Sequence, residues 1–157
     1  MSDQVIHITN LFNRLVMLIE SGASREFVRS FIDNFEKILS TLPQSEQPLQ
    51  HFFTEGLYGR QIFNPKGSVI VTKLHQEHNF SFILKGRLGV ITEDGIEVLQ
   101  APKMFVTKPG TKRVLYAIED VIFCTVHPNP ENWTDLEALE HRIIAPSFAA
   151  IELGGTS

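Results

Sequence analysis

The chain has 157 residues, 43% of them hydrophobic, which suits one folded domain with a modest appendage. A formal net charge of −4 supplies no overall positive field for nucleic acid or anionic lipid, and no run approaches the ~18 apolar residues of a membrane span. The single cysteine, Cys124, lies in the apolar run 121–126 and reads as a buried, inert thiol. No disulfide can form within the chain, and the N-terminus lacks a basic start followed by an apolar stretch, so the expected setting is a reducing cytoplasm.

Taken in order, residues 1–42 read as a helical hairpin. Val5, Ile8, Phe12, Leu15, Val16 and Ile19 recur at helical spacing, with Ser2 or Asp3 as N-cap. Ser21-Gly22-Ala23 breaks the pattern, and Ser24 caps a second helix whose stripe includes Phe27, Val28, Phe31, Ile32, Phe35 and Leu39. That wide face must be covered, either by the rest of the chain or by another copy. Residues 43–55, polar and bounded by proline, read as a linker.

From 56 to 128 the pattern changes to short strands: 57–63, 68–74, 80–84, 88–92, 97–100, 104–107, 112–117 and 121–127. Turn signals separate them, and Asp94-Gly95 is the strongest hairpin signal. Many short strands with no helix between them indicate a sandwich or barrel. Twelve Phe against one Trp and two Tyr predict a core of large apolar rings. Residues 129–157 read as a C-terminal helix, capped by Thr134 or Asp135 and running to about Arg142, with a fraying tail from Ile143. Trp133 reads as an anchor for that helix.

One stretch carries chemistry. Gly67 is followed after five residues by Lys73-x-His75, after three by Asn79 and after six by Gly86; further on, Lys108-Pro109-Gly110 is followed after two residues by Arg113. This spacing resembles the two motifs of cupin domains, which carry glycine, His-x-His, Glu and glycine, then Pro-x-Gly and His. The resemblance covers about 56–127. It implies a mainly β fold, a cupin-like double-stranded β-helix or jelly-roll barrel, with the N-terminal hairpin added. Lys73 stands at the first His position, His75 at the second, Asn79 at the Glu position and Arg113 at the last His position. Pro102 replaces the glycine that opens the second motif, and Ala117 stands where Asn closes it. A second likeness, of 82–87, 108–116 and 140–148, is to small cupin proteins of tailed phages.

Two cations at ligand positions change what the site attracts. At ~4 Å two unit charges interact by roughly 4 kcal/mol at an effective dielectric near 20, which a lone imidazole and an amide do not offset for a dication. The same bowl favours an anion, with Arg as a fork, Lys as a point charge, and His75 and Asn79 as hydrogen-bonding groups. No cofactor is expected. The candidate ligand-binding set is Lys73, His75, Asn79 and Arg113, with Tyr58 and Arg60 sharing one strand face at the mouth. Alternatively, Lys73 and Arg113 turn outward and pair with Glu77, Glu55 or Glu119. A shifted metal set of His75, His78 and His127 is a further alternative, although strand alternation places His75 and His78 on opposite faces. His7, His51 and His141 read as surface residues, and Tyr116 as outward-facing.

Three functions fit these residues. The first is a metal-free module binding a small anion, a nucleotide or sugar phosphate; in a phage accessory protein it would sequester a host signalling nucleotide and so evade host defence. The second is a structural virion or assembly protein with a vestigial pocket. The third is a metal-independent sugar epimerase or isomerase, with His75 as base, Tyr58 as acid, and Lys73 and Arg113 as charge stabilisers. No partner carboxylate for His75 is visible, so the reading leans away from catalysis. A homo-oligomer, in the bacterial cytoplasm or the virion, completes the expectation.

Overall fold

A computed structural model of the chain describes residues 3–44 and 47–146. The proposed cap at Ser2, the side chains of Asp3, Val5, His7 and Ile8, and the tail from 147 onward lie outside the described residues. Helix α1 (Asp3–Glu20) turns at Ser21-Gly22 into α2 (Arg25–Ser40), whose N-cap Ser24 accepts a hydrogen bond from the Phe27 amide at 3.2 Å. Val28, Ile32 and Phe35, spaced four and three apart, are fully buried.

Among the described residues eleven strands follow: β1 (Leu49–Thr54), β2 (Gly56–Asn64), β3 (Val69–Val71), β4 (Leu74–His75), β5 (Asn79–Lys85), β6 (Arg87–Thr92), β7 (Gly95–Gln100), β8 (Lys103–Thr107), β9 (Val114–Ala117) and β10 (Val121–Asn129), then helix α3 (Leu136–Ile143) and β11 (Ile144–Ala145). They form an antiparallel sheet in the order β1-β2-β10-β5-β8, a second in the order β3-β9-β6-β7, and the small pair β11-β4. The two larger sheets face each other across Ile83 and Val121 from one side and Leu88, Val90, Leu99 and Leu115 from the other.

The hairpin covers its own barrel. Leu15, Val28, Ile32 and Phe35 pack with Ile91 and Val114 on the outer face of the four-stranded sheet. Ion pairs hold it at two points. Arg25 and Arg29 meet Glu93 in the β6–β7 turn, and the Lys112 ammonium meets Asp33 and Glu36. The Lys112 side chain is only 8% exposed, so burial disfavours its charge, but the two acids outweigh this and raise its pKa. Strand alternation explains the split: Lys112 and Val114 face the helices, while Arg113 and Leu115 face the lumen. Tyr116 faces outward as expected, its ring 6.0 Å from that of Phe12.

The structure revises three expectations. The 43–55 segment contains a strand, β1, paired along its length with β2. The 68–74 strand breaks at Thr72-Lys73, where the Thr72 amide donates to the Arg113 carbonyl and the Arg113 amide donates to Thr72 Oγ1. The tail from Ile143 is ordered at its start, since β11 pairs Ile144 with His75 and Ala145 with Leu74. The Asp94-Gly95 hairpin forms between β6 and β7. Asp135 caps α3, accepting from the Glu137 and Ala138 amides.

Gly86 links the two sheets between β5 and β6 at φ +83°, and a Cβ there would sit 2.2 Å from the Asp120 carbonyl oxygen. Both the left-handed backbone and the approach of a main-chain atom exclude a side chain. Gly86→Ala is therefore expected to lower unfolding free energy by more than about 2 kcal/mol, read as a shifted urea midpoint. An unchanged midpoint would contradict the close approach.

Candidate functional site

The lumen is apolar at one end and polar at the other. On the strands near the polar end the usual pattern is inverted: β5 turns Asn79 and Ser81 inward while Phe80 and Leu84 face out, and β10 turns Thr125 and His127 inward. Register aligns Tyr58 with His127, Arg60 with Thr125, Thr125 with Ser81, and Asn79 with Thr107. Leu139 and Ile143 of α3 pack over Tyr58 at this end.

His75 enters from β4. Its carbonyl accepts the Gly110 amide at 3.0 Å, which ties the turn of the second motif to the strand of the first. Its ring lies over that of His127 with centroids 5.2 Å apart and planes 25° apart. The stack continues from His127 to Tyr58 at 5.9 Å and from Tyr58 to His51 at 5.9 Å. The Tyr58 hydroxyl is 2.8 Å from His51 Nδ1, so His51 is not the free surface residue its position suggested.

A directed hydrogen-bond chain crosses β8 and β5. Arg113 Nη1 donates to Thr107 Oγ1 at 3.2 Å, the Thr107 and Ser81 hydroxyls are 2.8 Å apart, and Ser81 donates to Asn79 Oδ1 at 3.2 Å. A hydroxyl has one proton, and Ser81 spends it on Asn79, so Thr107 donates to Ser81. The chain therefore runs from the guanidinium to the amide carbonyl, each bond polarising the next. It leaves Asn79 Nδ2 without a partner, although Asn79 is only 4% exposed. His75 Nδ1 is likewise buried and unpartnered. An unmet buried donor or acceptor costs about 1–3 kcal/mol, and its usual partner is a ligand or ordered water.

Burial and charge both set protonation here. The His75 pKa falls to about 4, first through desolvation and then through the nearby Arg113 and Arg60 charges. The His127 pKa falls to about 3, through desolvation and then His75 and Arg60. Both rings are neutral at pH 7. Burial also lowers the Arg113 pKa, partly countered by Glu97, but a guanidinium stays charged; its Cζ lies 5.4 Å from the centre of the Phe105 ring. Desolvation raises the Tyr58 pKa, so the phenol keeps its proton.

The structure brings His75, Asn79, Arg113, Tyr58 and Arg60 to this one end of the lumen. It does not bring Lys73, whose side chain is 59% exposed and whose Nζ lies 4.0 Å from Glu140. The break at Thr72-Lys73 interrupts the alternation that would have placed Lys73 beside His75. Glu77, considered as a partner for Lys73, meets Arg142 instead. Ser81, Thr107, Thr125 and His127 belong to the site but were not singled out as anion-binding. The available signal was a polar residue at every second position, 79 and 81, then 125 and 127.

The shifted metal trio does not assemble, because His78 is exposed while His75 and His127 stack. Imidazole lone pairs lie in the ring plane, and two nearly parallel stacked rings do not aim them at a shared point. Among the described residues no three His, Cys, Asp or Glu gather as metal ligands. Two guanidiniums beside two imidazoles do not fit a dication.

Two facing antiparallel sheets wound in this order make a double-stranded β-helix. The fold is cupin-like. No protein-family model matches the chain, and no curated protein matches it significantly. Among solved structures it is similar to a double-stranded β-helix protein from Klebsiella pneumoniae (16% identity, 59% of this chain and 84% of that one, TM-score 0.48). It is also similar to an RmlC-like cupin from Methanocaldococcus jannaschii (18%, 56% and 85%, 0.46) and a cupin-2 domain protein from Shewanella frigidimarina (16%, 61% and 93%, 0.43).

A cavity of about 850 Å³ lies elsewhere, between α2, the connection after it, and β3 and β9, with Phe12, Leu39, Val71 and Tyr116 among its walls. None of the lumen residues named above lines it. Size alone does not make it the site, because the unmet polar atoms and the buried charge are in the barrel.

The two neutral imidazoles give stability a pH dependence. Above pH 6.5 neither state takes up a proton at these rings. Between about 6.5 and 4 the unfolded chain binds protons that the folded chain refuses, so stability falls as pH falls, by about 1.4 kcal/mol per pH unit for each ring. His127→Gln is expected to roughly halve the slope of unfolding free energy between pH 5 and 6.5. An unaltered slope in chemical denaturation would show that His127 is not held neutral.

Proposed function

We propose that the barrel is a metal-free module that binds a small anionic ligand, a nucleotide or sugar phosphate, through its polar end. The observation that carries this reading is the directed chain from Arg113 to Asn79. It occupies the Asn79 carbonyl oxygen and leaves donors: the remaining N–H groups of Arg113, the Arg60 guanidinium and Asn79 Nδ2. A site with spare donors and positive charge calls for an acceptor that is negative, and a phosphate oxygen matches a guanidinium fork. Neutral His75 adds a group able to donate or accept.

Binding rather than turnover is supported by what surrounds His75. Among the described residues no carboxylate is hydrogen-bonded to it, and Lys73 of the epimerase cast points away. A base needs an orienting partner. Sequestration of a host signalling nucleotide by a phage accessory protein joins this site to the sequence resemblance. Assembly through an apolar outer face is the second reading, and it is compatible with an occupied lumen.

Native mass spectrometry of protein purified from cells, followed by calorimetric titration with AMP, UDP-glucose and inorganic phosphate, tests the site. Arg113→Ala and Arg60→Ala are each expected to weaken the bound compound by roughly 10- to 100-fold, the loss of a charge-assisted hydrogen bond, while Lys73→Ala changes affinity by less than about 2-fold. Unchanged affinity in Arg113→Ala, Asn79→Ala and His75→Ala together, or stoichiometric zinc, iron or manganese in the barrel, would overturn the assignment.

A further inference from the structure

The hairpin reaches the lumen through the chain on either side of Arg113. That residue lies just ahead of β9, in the connection 108–113 that belongs to no strand. Its two neighbours in sequence both face the helices. Val114 packs among Leu15, Val28, Ile32 and Phe35, and the Lys112 ammonium lies 2.5 Å from Asp33 Oδ1 and 2.5 Å from Glu36 Oε2. Asp33 and Glu36 are three apart on α2, so one face of that helix presents both carboxylates to one cation. A lysine ammonium is a point charge on a flexible stem, and two acceptors on a rigid helix fix where it sits. With Lys112 and Val114 both held on the hairpin side, alternation turns the residue between them into the lumen.

Beside this connection the chain is not close-packed. A cleft of about 370 Å³ is walled by residues 108–112 together with Arg25, Arg29 and 92–94. Main-chain bonds tie the connection to the barrel at Gly110, whose amide donates to the His75 carbonyl, and at Arg113, whose amide donates to Thr72 Oγ1. Between those points the Lys112 ion pairs tie it to α2. We propose that the helical hairpin positions the Arg113 guanidinium, so that Lys112, Asp33 and Glu36, all on the hairpin side, are positioning residues of the lumen site. The effect on affinity rests on the anion-binding reading; the placement of Arg113 does not. Arg113 heads the row of hydrogen bonds through Thr107 and Ser81 to Asn79, so a displaced guanidinium disturbs the row as well as its own contact with an anion. Coupling is reciprocal, and an anion held by Arg113 in turn steadies the hairpin. The other ion-paired tie of the hairpin, Arg25 and Arg29 to Glu93, meets the β6–β7 turn and does not flank Arg113, which makes it the internal control.

Nitrogen-15 relaxation of the Arg113 Nε–H group in the full chain, without ligand, tests the placement. The wild type is expected to give an order parameter near the ~0.85 of rigid backbone, and Lys112→Met a value below about 0.6. The double variant Asp33→Asn/Glu36→Gln opens the same tie from the helix side and is expected to act alike, with thermal midpoints showing that each variant folds. Glu93→Gln, which loosens the other tie, is expected to leave Arg113 as ordered as in the wild type. In calorimetry, whichever of AMP, UDP-glucose and inorganic phosphate binds the wild type is expected to bind Lys112→Met roughly 3- to 10-fold more weakly, and Glu93→Gln within about 2-fold of the wild type.

An Arg113 side chain as ordered in the folded variants of the Lys112 tie as in the wild type would overturn the proposal. So would an equal loss of order in Glu93→Gln, which would make both ties general supports of the hairpin, and so would a wild-type guanidinium that is already mobile. Affinity unchanged while order is lost would show that the site does not depend on the placement, and would overturn it too. Order lost on opening the tie, with none of the three compounds bound by the wild type, would leave the positioning of Arg113 standing and remove the anion-binding reading.

Discussion

A guanidinium held inside a barrel governs this protein. Arg113 lies where solvent is largely excluded, its face against Phe105 and one N–H committed to Thr107. A buried charge is tolerated only when its hydrogen bonds are met, and the strands supply Thr107, Ser81 and Asn79 in line to begin doing so. The supply stops short. It gives Arg113 Nη1 and the Asn79 carbonyl oxygen their partners, and leaves Asn79 Nδ2 buried without one. On the reading proposed above, the positive charges of Arg113 and Arg60 disfavour a cation in the lumen and favour an anion.

The neutral rings follow first from burial, which disfavours the charged imidazole, and then from nearby positive charge. Desolvation acts on both, and Arg113 and Arg60 beside His75, and Arg60 beside His127, act in the same direction. The stack of His75, His127 and Tyr58 is thus a column of uncharged aromatic groups along one wall of the lumen, beside Arg60 and Arg113. An anion bound as proposed would offset the positive charge that, after desolvation, opposes protonation of the imidazoles. Binding of such an anion and proton uptake would then be coupled in sign, each favouring the other.

The two sheets solve the burial problem differently. On the four-stranded sheet, apolar residues face both ways, inward to the core through Leu88 and Leu115 and outward to the hairpin through Ile91 and Val114. On the five-stranded sheet, β5 and β10 point polar residues inward near the mouth and apolar ones outward. A strand that buries its polar side is stable only if its hydrogen bonds close within the lumen and its apolar side finds cover. Both halves of the functional reading rest on this one inversion.

The barrel was legible because its signals are local. Asp94-Gly95 makes a hairpin whatever surrounds it, and period-two alternation needs only neighbouring residues. Gly86, Gly110 and His75 fell into a spaced pattern that belongs to one winding of strands, and the structure gives Gly86 a steric reason. The residue types Arg113 and Asn79, at positions where the resembled motif carries His and Glu, were also visible in the chain. Strand β1 was hidden because an edge strand with Gln50, His51 and Thr54 has weak apolar alternation, and its pairing with β2 is what makes it a strand. Lys73 was misplaced because alternation was carried through Thr72-Lys73, where the backbone instead bonds to Arg113. His51 and His127 joined the site through register, which brings Tyr58 opposite His127 and its hydroxyl to His51. Residue type and short-range spacing settle which strands form and what charge the lumen holds. Which side chains meet, and which of two apolar faces the hairpin claims, depend on distant strands docking, and that free energy is shared among residues tens of positions apart.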